Sequence, residues 1–433
     1  MCALFVIIIT KKEEYTVKKD VVLQPSFYDK FECLGGACRY TCCQKWNVFF
    51  TKQEFKNIKR KIHTDEFKEL FQDAFLLEKG SDKCKIKFRE DDKCKFLSNE
   101  GLCKMYTEVG PENMSEICRN FPRVLFRYLD RYDRFLSIGC EQVVNLLLEE
   151  KDGLTFELTD REFTKPEIEA CPIMNLQTLS VHPEYCLWDD MMALMVDTLQ
   201  NRNYKFGERI VLLGIAMKKV DAILLDTKQD INIRLQQVKE YAQNFVNEIN
   251  DVEFFKNKLP SINSDGQKRL METAVFYLKR SGSKLREKVE KRIDLKRNMQ
   301  KYIDDDGSEK VRLKVDYDPV KYQQAMVDFE EFMKGKEYWL ENVMIEGFLS
   351  VKFPFRLSGD FWFNYCAMAM TYSIYLFMLT CCLEKDSTKE DFVYYVVEVA
   401  RTLFHNDKHT RELEEQLKKT ESDSLAHIAV LVL

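Results

Sequence analysis

Glycine and proline are scarce in this chain, at 15 and 9 of 433 residues. Both residues punctuate turns, so their scarcity argues against many short strands and favours helices. A dominant charge is lacking as well. Lys and Arg total 66 against 71 Asp and Glu, and a net charge of -5 gives no basic field to advertise nucleic acid as a partner. No Gly-x-Gly-x-x-Gly follows a strand, so a Rossmann-type nucleotide-binding domain is not visible. Met1–Thr10 is apolar but has no basic stretch before it and no small-residue cleavage site after it, so it does not read as an export signal.

What remains is ordinary globular composition with one unusual element. Hydrophobic residues are 45% and charged residues 32%, enough for a sizeable core in two or three domains. The unusual element is 15 cysteines. Eight of them fall in tight groups between Cys33 and Cys140, with Cys84 as a ninth. The odd total, and a chain too large to need disulfide staples, point to thiolates in a reducing compartment; the expectation is a cytoplasmic protein with metal-ligating cysteines. Phe361–Leu383 carries no charge and is long enough to span a bilayer. It also carries Asn364, Thr371, Tyr372, Ser373, Tyr375 and Thr380 along its length, and no basic cluster flanks it, so a central helix buried on all sides is expected rather than a membrane span.

The fold expected is mainly α: an N-terminal cysteine-cluster domain with little regular strand (1–150), a linker rich in proline (151–185), and an α-helical domain (186–433). Phe49–Leu77 reads as one helical stretch, with apolar residues at helical spacing. Arg134–Leu148 reads as a short extended piece followed by a helix. Beyond Tyr185, helices are predicted over 186–200, 206–224, 228–249, 265–281, 283–302, 319–333, 336–350, 360–383, 388–404 and 407–419. The basic run within 284–301 reads as a solvated helix face.

The cysteines form four groups: Cys33, Cys38 and the vicinal Cys42-Cys43; Cys94 and Cys103; Cys118, in Cys-Arg-Asn-Phe-Pro-Arg; and Cys140, after Ser137-Ile-Gly. A thiolate centre needs several deprotonated sulfurs converging in space. Gly35, Gly36, Ala37 and Gly101 suit a backbone that curls closely around such a centre, and Arg39, Arg119 and Arg123 would offset its negative charge. Zinc competes with iron–sulfur for these ligands. Structural zinc is normally held by paired Cys-x2-Cys knuckles, of which there are none, and a vicinal pair suits one tetrahedral ion poorly. Unliganded buried thiols are a third reading. Eight cysteines exceed the four that one [4Fe–4S] cluster takes, so either some only pack or two centres exist. The radical-enzyme signature Cys-x3-Cys-x2-Cys is also absent.

Gln24-Pro25-Ser26-Phe27, Phe31-Glu-Cys33-Leu-Gly-Gly-Ala-Cys38 and Thr41-Cys42-Cys43-Gln-Lys-Trp46 resemble the opening of the flagellin lysine-N-methylases. Cys94-x-Phe-Leu, Gly101-Leu-Cys103, Cys118-Arg-Asn-Phe-Pro-Arg123 and Ser137-Ile-Gly-Cys140-Glu141 continue the likeness in order, and the pattern is similar to a wider class of zinc- or iron-chelating cysteine-cluster proteins. Tyr338–Phe348 and Leu403-Phe-His405-Asn406 resemble later family segments more loosely. The resemblance implies S-adenosylmethionine as methyl donor, a [4Fe–4S] cluster, and flagellin lysines as acceptors.

A lysine amine must lose its proton before attacking a methyl sulfonium, although its ordinary pKa is about 10.4. A nearby acid–base group or a low-dielectric channel has to favour the free amine, and the cationic donor favours aromatic walls and carboxylates. Glu341 and Asn342 are the candidate catalytic residues, and Tyr338, Phe348 and Asp360 the candidate donor-binding ones; Glu346, Trp362 and Tyr365 offer similar groups. The competing reading is helix packing. His405 and His409, four apart, read as a helix boundary sooner than as a metal site, and Cys366, Cys381 and Cys382 as core residues. The rival function is a non-enzymatic metal-binding adaptor, or a redox carrier.

Overall fold

The computed structural model describes residues 20–44, 48–77, 80, 82–163, 171, 173–174, 176–251, 278, 282–303, 309–356, 360–404 and 424–432. Among the described residues the chain is mainly α. Its strands are β1 (Asp20–Pro25), β2 (Phe49–Thr51), β3 (Phe75–Leu77), β4 (Lys83–Ile86), β5 (Arg123–Tyr128), β6 (Arg131–Leu136), β7 (Phe156–Arg161), β8 (Ile173–Met174), β9 (Lys296–Ile303) and β10 (Glu309–Asp316). Most are short, yet they assemble into sheets, two of them within residues 20–174 and one formed by β9 and β10.

A mixed five-stranded sheet has the order β7-β1-β6-β5-β8. β1 runs parallel to β6 and antiparallel to β7; β5 is antiparallel to β6 and parallel to β8. The sheet therefore takes β7 and β8 from the stretch expected as a linker. Buried Gln24 and Arg134 tie β1 to β6, Arg134 Nε donating to Gln24 Oε1 at 2.6 Å. Asp133 of β6 accepts from Arg131 and from Trp188 Nε1, both at 2.7 Å, which keys the sheet to the helix Trp188–Leu199. One hydrophobic core runs from Val22 through Phe135 and Trp188 to Val432, so the sheet and the helical part share it.

A second, smaller core lies between residues 48 and 109, with Phe50, Phe67, Phe71, Phe75, Phe96 and Cys84 among its buried members. Here the prediction of one helix over Phe49–Leu77 is corrected. Thr51 and Glu54 form a capping box that starts the helix Lys52–Lys61, a second helix occupies Asp65–Asp73, and β2, β4 and β3 flank them as an antiparallel sheet. The apolar residues have helical spacing because two short amphipathic helices cover a sheet that local pattern cannot reveal.

The helices Trp188–Leu199, Phe206–Leu224, Ile231–Glu248, Pro319–Met333, Glu337–Ser350 and Lys389–Leu403 lie close to their predicted bounds. The prediction of helix over 283–302 holds only for Ser283–Arg292. Asp294 takes the left-handed φ of +51°, and the chain continues as β9, paired antiparallel with β10 from Lys296↔Asp316 to Ile303↔Glu309. Strand pairing, a non-local interaction, overrides the helical propensity of that lysine- and arginine-rich run.

Phe361–Cys382 is a 22-residue helix, and 89% of its most apolar window is buried inside the protein. It packs against the helices Phe206–Leu224, Ser283–Arg292, Pro319–Met333, Lys389–Leu403 and Leu425–Val432. Its polar groups find protein partners: Thr371 and Ser373 donate to carbonyls one turn back at 2.7 and 2.9 Å, while Tyr365 and Tyr375 donate to Ile210 O at 3.0 Å and Val396 O at 2.8 Å. Gly214 permits this, since a Cβ there would stand 2.3 Å from the Tyr365 hydroxyl oxygen.

Candidate metal centre

The four cysteine groups sit on loops and one short helix at the join of the two cores. Cys33 and Cys38 bracket a single 3-10 turn, Gly35–Ala37, closed by Cys38 N–H donating to Gly35 O at 3.2 Å. Gly36 and Gly101 bring this loop against the next. A Cβ on Gly36 would lie 2.4 Å from Glu100 O, and Gly101 holds φ +76° with its Cβ position 3.1 Å from Gly36 O. Any side chain at either position would pry the two loops apart. Cys94 N–H donates to Cys43 O at 2.8 Å, and a bridge pairs Leu97 with Cys103. Cys118 lies in the first turn of the helix Glu116–Asn120, its N–H donating to the Ser115 hydroxyl at 3.3 Å. Cys140 caps the helix Glu141–Leu147.

Buried Glu141 locks this arrangement. Its carboxylate accepts from Arg39 N–H and Arg39 Nε, each at 2.8 Å, from Tyr40 N–H at 3.1 Å, and from the Cys38 thiol at 3.4 Å.

All eight predicted cysteines, Cys33, Cys38, Cys42, Cys43, Cys94, Cys103, Cys118 and Cys140, line one cavity of about 480 Å³. They are free thiols. Phe31, Phe96, Met105 and Ile117 contribute apolar wall, and Arg119, Arg123 and Arg401 contribute charge. Burial pushes the thiols up: Cys94 and Cys140 to about 11, and Cys118 and Cys38 to about 12, the last with help from Glu141. Cys42 goes the other way, to about 7, because Cys43 hydrogen-bonds its sulfur and Arg401 stands nearby. The same hydrogen bond, with burial, raises Cys43. The Cys42–Cys43 pair thus shares its proton, which favours one thiolate between the two.

Among the described residues, no three His, Cys, Asp or Glu side chains converge tightly enough to hold a single metal ion. The thiols stand around a chamber instead of meeting at a point. Eight soft thiols around one chamber fit a zinc- or iron-type thiolate centre.

Of the arginines named from sequence, Arg119 and Arg123 line the chamber, Arg123 also lying 5.0 Å over the Phe31 ring, while Arg39 is paired with Glu141. Arg401 was missed. It comes from the helix Lys389–Leu403, far along the chain, and no local motif marks it. Cys84 packs in the smaller core away from the chamber, and Cys366, Cys381 and Cys382 are buried in the central helix as expected.

The other candidates lie outside the chamber's lining. Glu341, 2% exposed, pairs with Arg202 at 2.8 Å and closely with Arg209. Asn342 donates to Leu147 O at 3.0 Å and Glu150 O at 2.7 Å, tying its helix to the end of Glu141–Leu147. Tyr338 meets Trp339 edge-on, and Phe348 packs against Phe353 and Phe404. Asp360 caps the central helix, accepting from Phe363 N–H at 2.7 Å. Trp362 stacks on Tyr365 at 5.1 Å. His405, Asn406 and His409 lie outside the described residues, as do Met1–Thr10 and Trp46.

Residues 193–431 match the family described as the FliB lysine N-methylase C-terminal domain. The chain belongs to the FliB lysine N-methylase family. Residues 32–178 match a second model, CxxCxxCC, described as a candidate zinc- or iron-chelating domain, and these residues contain every cysteine of the chamber. Lysine-N-methylases of Salmonella typhimurium and Salmonella choleraesuis are 26% identical to this chain over 164 residues. These matches cover 37% of the chain and 40% of each relative's length. The flagellar biosynthetic protein FliU of Salmonella muenchen is 28% identical over 142 residues, covering 32% of the chain and 83% of FliU. No solved structure is significantly similar to the chain. The FliB match spans the helical part, so the family segment around Tyr338–Phe348 falls inside it.

Proposed function

We propose that this FliB-family chain is a protein-lysine N-methyltransferase that uses S-adenosylmethionine, acts on flagellin, and holds a [4Fe–4S] cluster in the cysteine chamber. The observation that carries the reading is the gathering of eight thiols, from four separated segments, around one chamber in a member of a lysine N-methylase family. The flagellar name of the FliU relative supports flagellin as substrate. Four of the eight thiols suffice for one cluster. A cluster held there supplies a redox-active, Lewis-acidic iron centre. The chain's own contribution is to hold thiolates in place through Glu141, the Gly36–Gly101 contact and the Cys43–Cys94 backbone bond, and to offset negative charge with Arg119, Arg123 and Arg401. Free thiols at the cysteines among the described residues support a reducing, cytoplasmic setting.

The division into 1–150, 151–185 and 186–433 is retained as a functional proposal, metal unit and helical unit, with β7 returning to the sheet of the first. Glu341 and Asn342 as catalytic residues, and Tyr338, Phe348 and Asp360 as donor contacts, are likewise proposals. Their present partners are all within the protein, which makes them sharply testable.

The experiment is anaerobic purification with iron, sulfide and zinc analysis, followed by incubation with flagellin and the donor and intact-mass measurement. Absorbance near 400 nm, about four irons and methylated flagellin are expected. Stoichiometric zinc without sulfide overturns the cluster. Unchanged flagellin mass with fully iron-loaded protein overturns the transferase and leaves the metal-binding adaptor.

A further inference from the structure

Arg401 stands apart from the other charged residues of the chamber. It is carried by the helix Lys389–Leu403 of the helical part, yet it lines the cavity formed by the cysteine loops. Its Nη2 donates to Tyr40 O at 2.6 Å, between Cys38 and Cys42, and its Nε donates to Gly139 O at 3.1 Å, beside Cys140. One guanidinium therefore bonds the backbone of two different cysteine loops. The ring of Tyr40 also packs on Tyr394 of the same helix, centroids 4.8 Å apart. The third nitrogen, Nη1, is buried and has no hydrogen-bond partner; its nearest carboxylate, Glu398, is 4.0 Å away. A buried guanidinium with donor capacity left over is costly unless an anion meets it. Glu398 stands at the outer limit of ion-pair distance and hydrogen-bonds none of the guanidinium nitrogens, and the other anions this chamber can present are its sulfurs.

We propose that Arg401 is a positioning residue for the sulfur-ligated centre. It clamps the Cys38–Cys42 and Cys140 loops to the helical part and places a fixed positive charge against the centre. The helical part thereby sets the centre's reduction potential and its grip on metal. Reduction adds negative charge, so a nearby fixed cation favours the reduced state. This inference rests on the proposed metal centre but not on methyl transfer, and it needs no donor or flagellin to be examined.

The test compares the full-length wild-type protein with R401K and R401Q, each purified anaerobically. Lys keeps the charge and loses the fork; Gln keeps a polar side chain and loses the charge. Two quantities are read: the midpoint potential of the loaded protein, and the rate of metal loss to a chelator. The potential is expected to fall in R401Q and to stay near wild type in R401K, while metal loss speeds up about tenfold or more in R401Q. Folding of R401K alongside collapse of R401Q also supports a requirement for the charge. Equal potentials and equal release rates in all three proteins overturn the proposal. So does an equal shift in R401K and R401Q, which would make the fork a structural contact only. A redox-silent, zinc-loaded protein would defeat the iron–sulfur reading separately, and the release rates would still decide the role of Arg401.

Discussion

Glu141 accepts the backbone N–H of Arg39 at 2.8 Å, and so fastens the loop after Cys38 to the helix that begins after Cys140. The two residues are about a hundred positions apart, yet the carboxylate takes three nitrogen donors and one thiol from residues 38–40. Replacing it removes several charge-assisted bonds at once. Glu141→Ala is expected to cost about 2–4 kcal/mol and to lower metal content, since ligand placement and folding are coupled. Glu141→Gln, which keeps an acceptor, should fall between. Denaturant titration with metal analysis checks both.

Cysteine substitutions should divide by location. Serine at Cys38, Cys42 or Cys118 is expected to lose metal and solubility together. Cys84→Ala should keep full metal content and lose only about 1 kcal/mol of packing, because Cys84 is in the smaller core and off the chamber. Wild-type iron in all three chamber variants would contradict the metal assignment.

Buried Glu341 faces buried Arg209 and the exposed Arg202. Removing a buried partner strands the other charge, so Glu341→Ala should destabilise by about 3–5 kcal/mol. Asn342→Ala loses two bonds to carbonyls and should cost about 1–3 kcal/mol. Calorimetry reads the stability, and methyl transfer measured on whatever remains folded separates roles. A catalytic part demands that activity per folded molecule collapse; activity that simply follows the folded fraction makes both residues structural.

Glu346 is buried, accepts the Leu136 N–H, and burial pushes its carboxyl from 4.5 up to about 8. Below pH 4.5 it is protonated in folded and unfolded chains alike. Between 4.5 and about 8 the unfolded chain releases the proton first, so this residue makes stability fall as pH rises, by an amount on the order of 4 kcal/mol. Above that the deficit is constant. Glu346→Gln keeps an acceptor for Leu136 and should flatten this part of the pH–stability curve, raising the melting temperature at pH 8 relative to pH 5. An unchanged slope across that window would place the carboxyl in contact with a compensating charge.

The helices of the second half were legible because each shows its own apolar period, a local property that packing only has to accept. Phe206–Leu224 and Pro319–Met333 have the bounds their pattern predicts, and Phe361–Cys382 is buried as its scattered hydroxyls required. Cysteine grouping likewise marked the loops that line the chamber, because so many thiols close together in sequence are a composition little else uses. Tertiary structure alone decided the rest. β9, β10 and the small sheet beside Phe50 depend on pairing between segments, and strand pairing leaves no signature in either segment alone. The helix Glu337–Ser350, whose motif suggested chemistry, spends its carboxylate on Arg202 and Arg209, partners more than a hundred residues away. Arg401 reaches the cysteine chamber only because the helical part docks against the loops of Tyr40 and Gly139. Spacing along the chain reports which groups a segment can offer. Which groups meet is settled by burial, where a charge removed from water must find its counterpart wherever the fold brings one.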